Sequence, residues 1–137
     1  MKRLTMMPFF VVTFMILCPV FAQMGYAEQS PVLEVTHSAI CLEVVDHTCV
    51  DTNEVFPSNV GKLYCLTRVC GAQEDTEVTH VWFFGDIERA RITLGIRSVN
   101  FRTYSSKIIR PQEIGSWRVD VLDSENRVLK VVEFAIE

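Results

Sequence analysis

Four cysteines, Cys41, Cys49, Cys65 and Cys70, are the residues in the body of the chain best suited to covalent chemistry. An even set of thiols can close two disulfides, stay buried and reduced, or, with His47 beside Cys49, offer sulfur and nitrogen to zinc. There is no C-x-x-C pair, so a thiol oxidoreductase is not expected. Disulfides are the preferred reading. If Cys65 and Cys70 share an extended strand, their Cα atoms lie roughly 16 Å apart at about 3.3 Å per residue. A disulfide spans only about 4.4–6.8 Å. These two should therefore pair with Cys41 and Cys49 and not with each other.

Other candidate groups are polar or aromatic. Between residues 89 and 118 stand Arg89, Arg91, Arg97, Arg102, Lys107, Arg110 and Arg118, opposed by Glu113 alone. A stretch of that sign can steer an anionic partner such as an envelope glycan or a lipid head group. The set expected to carry such binding is Arg91, Arg97, Arg102, Tyr104 and Lys107. The same cations could instead pair with acidic strands of this chain, which adds little stability at a surface. Val78, His80, Trp82 and Phe84 alternate onto one strand face and read as core, with His80 a hydrogen-bonded inner histidine. Val81 and Phe83 then face outward as an apolar spot for a partner. Arg102, Tyr104 and Ser106 share one face of the next hydroxyl-rich strand, with Thr103, Ser105 and Lys107 on the other. That strand is either a polar binding face or a sheet edge that Lys107 protects.

Catalytic patterns are missing. The chain has no Gly-x-Ser-x-Gly elbow, no His-Glu-x-x-His and no glycine-rich phosphate loop. Three histidines and many carboxylates leave a dyad arithmetically open, but no spacing supports one. The protein is expected not to be an enzyme, to need no cofactor and to hold no metal. A small hydrolase or metal site at His80 is the remote alternative.

The elements that position these groups begin after a leader. Lys2 and Arg3 precede an uncharged run from Met6 to Ala22, and small residues follow. That order fits an export signal, with cleavage expected after Ala27. The run, about 17 residues, is at the lower limit for crossing a bilayer, so an uncleaved inner-membrane anchor at residues 6–22 is the alternative. The expected organisation is a signal peptide (1–27), a short linker (28–38) and one domain (39–137), exported to the periplasm or beyond. The whole chain of 137 residues has a net charge of −4. All 17 acidic residues but only 11 of the 13 basic ones follow the leader, so the mature part carries −6. Such a balance argues against a general nucleic-acid binder.

Short alternating segments follow at residues 39–47, 62–70, 77–84, 90–99, 101–109, 116–122 and 127–136, divided by turn residues such as Gly85-Asp86 and Asp123-Ser124-Glu125-Asn126. About seven strands at this spacing, with no helical period, predict an all-β antiparallel sandwich of the immunoglobulin-like kind.

Five blocks carry a family resemblance: LYCLTRVCGA, HVWFFGD, FRTYSSK, GSWRVDV and VLKVVEFAI. Together they resemble the bacterial domain of unknown function 2914 from about residue 39 to 136. The resemblance implies a small domain of membrane-associated or exported proteins with no assigned catalytic residues. It also matches Cys41 and Cys65 to cysteine positions of relatives and leaves Cys49 and Cys70 as additions, implying the pairs Cys41–Cys65 and Cys49–Cys70. A simple hairpin of the first two strands would instead set Cys41 opposite Cys70. The functional expectation is a non-catalytic module making protein or cell-envelope contacts, with binding of an anionic glycan or lipid through a basic sheet face as the alternative.

Overall fold

The computed structural model describes residues 32–137; the expected leader, its cleavage site and Cys18 lie outside them. Nine strands follow: β1 (Glu34–Val45), β2 (Thr48–Thr52), β3 (Val55–Phe56), β4 (Lys62–Cys70), β5 (Thr76–Phe84), β6 (Ile87–Ile96), β7 (Asn100–Ile108), β8 (Gly115–Leu122) and β9 (Val128–Ile136). They form two sheets, β2-β1-β4-β7 and β3-β9-β8-β5-β6. All seven expected strands are present, and every pairing is antiparallel except the short β3–β9 contact. Without β2 and β3, three strands (β1-β4-β7) face four (β9-β8-β5-β6), an immunoglobulin-like division. β1 starts at Glu34, so part of the expected linker is already laddered to β4.

Alternation explains the packing. β6 turns Ala90, Ile92, Leu94 and Ile96 inward and leaves Arg89, Arg91 and Thr93 outside. On β5 and β8, Trp82 and Trp117 are fully enclosed and meet Phe134 at ring separations of 6.0 and 5.9 Å. Each such aromatic removes roughly 150–250 Å² from water; all three belong to the second sheet, and Ile40, Leu63 and Cys65 of the first sheet join them in one buried cluster. A second cluster, around Val69, Val78, Ile96 and Val121, fills the other end.

The main departure from expectation is a hairpin. Val45 pairs with Thr48 across Asp46 and His47, which both adopt left-handed backbone (φ 49° and 56°). That is the two-residue turn suited to twisted strands, but Asp-His is a poor advertisement for it compared with Asn-Gly. β1 leaves β4 after Cys41↔Tyr64 and continues against β2. The tip then curls over the first sheet's outer face, where the His47 ring sits 6.5 Å from Tyr104 on β7, two strands away. Beneath it, Ala39, Cys41 and Leu66 are buried although they point away from the inter-sheet core.

This hairpin corrects the disulfide assignment. The bond is Cys41–Cys49, with Cα atoms 5.6 Å apart, while Cys65 and Cys70 are free. Cys65 is opposite Ile40 and joins the inner cluster, so Cys41, one residue along β1, points to the other face of the sheet. A Cys41–Cys65 bridge would have to pass through the sheet. Cys70 is opposite Glu34 at the far end of the ladder, away from both Cys41 and Cys49.

Candidate functional site

The one arrangement that looks catalytic is buried. Ser105 Oγ lies 2.7 Å from His80 Nδ1, Thr67 Oγ1 lies 3.0 Å from His80 Nε2, and Trp82 Nε1 donates to Ser105 Oγ at 3.0 Å. A hydroxyl beside an imidazole is the start of a nucleophile–base pair. Here the third position is a threonine and not a carboxylate, and His80 has no solvent exposure. Burial holds its pKa down at about 4, so the ring is neutral near pH 7. The network satisfies polar groups from β4, β5 and β7 between the layers and pins the sheets in register. His80, Trp82 and Val78 do face inward as the alternation predicts.

The two free thiols differ in exposure. Burial pushes the Cys65 thiol well above its usual range, which suppresses the reactive thiolate. Cys70 is half-buried beside Thr36 Oγ1, 3.5 Å away. Among the described residues no group of three His, Cys, Asp or Glu is placed to hold a metal.

The second sheet's outer face neutralises itself. Arg91 reaches Glu88 at 2.7 Å, and Arg118 reaches Asp120 and Asp86 at 3.2 and 3.4 Å. Arg118 also lies 4.1 Å over the Phe83 ring. The expected apolar spot is therefore absent: Val81 is only 1% exposed between its neighbours Arg91 and Asp120, and Phe83 is half-buried under a guanidinium. Nearby, Arg89 lies 2.7 Å from Glu113 Oε2, without the alignment of a hydrogen bond, while Arg110 N donates to Oε1. That buried carboxylate fastens the β7–β8 connection to β6.

The first sheet's outer face is different. Across β1, β4 and β7 the register sets His37, Arg68 and Arg102 in one row and Ala39, Leu66 and Tyr104 in the next. Among the described residues neither Arg68 nor Arg102 forms an ion pair. Arg68 Nε donates to Asn100 Oδ1 at 2.8 Å, which orients its guanidinium. Tyr104 remains 42% exposed and packs edge-on with Tyr64 at 6.1 Å.

The expected ligand set is thus divided. Arg102 and Tyr104 share this face. Arg91 belongs to the other sheet and is paired. Arg97, just beyond β6, borders a pocket with Glu74 and Asp75. Lys107 alternates with Tyr104, sits opposite the enclosed Leu63, and donates to the carbonyl of Ile108 at 2.8 Å. Arg68, His37 and Tyr64 were missed because they lie outside the basic stretch. Only the pairing of β4 with β7, more than thirty residues on, brings Arg68 against Arg102.

The family model described as a protein of unknown function (DUF2914) matches residues 75–136. The match runs from the start of β5 to the end of β9 and contains four of the five blocks on which the resemblance rests; Leu63–Ala72 precedes it. No curated protein matches the chain.

Proposed function

We propose that this chain, with its DUF2914 match over the last five strands, is a non-catalytic recognition module of the cell envelope, and that it binds anionic envelope components through the outer face of the β1-β4-β7 sheet. The observation that carries this reading is the contrast between the faces. Arg118 and Arg91 are neutralised on one, whereas Arg68 and Arg102 stand opposed and unpaired beside an exposed tyrosine on the other. Like charges directly across a ladder are destabilising, so an anion that bridges them gains what the free protein forgoes. The Cys41–Cys49 bond supports an oxidising compartment, in keeping with the export signal expected in the leader. The sealed His80–Ser105 pair supports a binding role over hydrolysis.

The test is co-sedimentation of purified protein with isolated envelopes. Arg102→Glu combined with Tyr104→Ala should abolish retention, and salt should release the wild type, because exposed charge contacts are screened within about 8 Å at physiological ionic strength. Lys130→Glu, a charge change on β9, should retain wild-type binding. Equal retention of the double variant and wild type would refute the reading.

A further inference from the structure

We propose that the His37–Arg68–Arg102 row is a phosphate-monoester site, in which the two guanidinium groups clamp one dianionic phosphate and Tyr104 receives the sugar ring that bears it. This rests on the recognition reading above and adds the ligand's chemistry. Arg68 and Arg102 are direct partners in the β4–β7 ladder, which places their Cβ atoms about 5 Å apart on one face. Two guanidinium planes at that spacing can each present paired N–H donors to a single tetrahedral oxyanion. With Arg68 Nε already given to Asn100 Oδ1, its terminal nitrogens are left for the ligand. His37 closes the row on the β1 side.

Charge selects the ligand class. Glu34 lies on β1 one row beyond Arg68, and Glu43 and Asp46 lie on the hairpin, but among the described residues no carboxylate is within ion-pair distance of either arginine. Two uncompensated positive charges match a phosphate monoester, which carries close to two negative charges at neutral pH, better than a carboxylate or a phosphodiester with one. Tyr104 stands two residues beyond Arg102 on β7, about 7 Å along the strand. Its ring makes edge contacts with His47 and Tyr64 and remains 42% exposed. A sugar held by its phosphate at the arginines can lay its apolar face there.

The test is calorimetric titration of the full mature protein with glucose 6-phosphate, inorganic phosphate, glucose and glucuronate. Glucose 6-phosphate should bind most tightly, and Arg68→Gln or Arg102→Gln should each weaken it by about tenfold or more, a change of about 1.4 kcal/mol. Tyr104→Ala should weaken glucose 6-phosphate while leaving inorganic phosphate unchanged, which a general loss of fold would not do. Flotation with phosphatidylcholine vesicles carrying monophosphoryl lipid A separates the sources: binding there with the same arginine dependence assigns a lipid-borne phosphosugar, and binding of only the soluble ester assigns a free one. Glucuronate binding as tight as the phosphate ester, or arginine variants that bind as wild type, would overturn the proposal. If envelope retention still depends on this face while glucose 6-phosphate fails to bind, the ligand class falls and the recognition reading stands. If retention ignores the face, the broader reading falls.

Discussion

Arg102, on the first sheet's outer face, and His80, on β5 between the layers, set two different demands on the protein. At Arg102 stability and the proposed binding oppose each other. Replacing it with glutamate places a carboxylate across from Arg68, and an opposite-charge cross-strand pair exceeds a like-charge one by about 0.5–1 kcal/mol. Arg102→Glu should therefore melt slightly higher than wild type in a thermal scan while losing envelope binding. A lower melting point would show that Arg102 supports the fold. His80 gives the pH dependence. Its pKa is depressed from 6.5 to about 4 by burial, so between those values the unfolded chain binds a proton that the folded chain excludes. Stability should rise with pH across that window, by about 3 kcal/mol for a shift of this size, and the contribution is fully present above pH 6.5. Urea unfolding from pH 4 to 7 measures it; a flat profile would mean that the ring is hydrated. The inward placement of His80 and Trp82 was legible from alternation alone, whereas for Ser105 alternation only separated it from Tyr104 without saying which face is buried. The Arg68–Arg102 pair was not, because residues 34 apart meet only once the ladder exists.

The β1–β2 hairpin was the least legible element. Its turn residues, Asp46 and His47, carry no strong turn signal, so residues 48–56 read as loop and the local pairing of Cys41 with Cys49 was overlooked. With the turn in place, Cys41 and Cys49 are brought together by a local reversal, and no long-range pairing is required. Alkylation of denatured, unreduced protein followed by mass mapping should label Cys65 and Cys70 and leave Cys41 and Cys49 unlabelled. Label on Cys41 would contradict the assignment. Cys41→Ser with Cys49→Ser should lower stability by about 2 kcal/mol, the low end for a bridge closing a short loop. It should also raise binding of an apolar dye, as the hairpin loosens over Leu66. The strands β6 and β8 were legible because their sequences alternate about Ile92 and Trp117, and β5 and β9 by their apolar, β-branched and aromatic composition between turn residues.

At the scale of the whole molecule, the sandwich presents two unlike surfaces. The face of β5, β6 and β8 spends its arginines on Glu88, Asp86, Asp120 and the Phe83 ring. The face of β1, β4 and β7 keeps its arginines unpaired and an aromatic ring in water. Counting charge along the chain detects the excess between residues 89 and 118 but merges the two surfaces, since β6 and β8 belong to one sheet and β7 to the other. The most direct measurement is a backbone amide shift map of isotopically labelled protein titrated with solubilised envelope material. The account predicts perturbations concentrated at His37, Arg68, Arg102 and Tyr104 and their strand neighbours, reversed by salt. Perturbations concentrated on the outer faces of β5, β6 and β8 instead would contradict it.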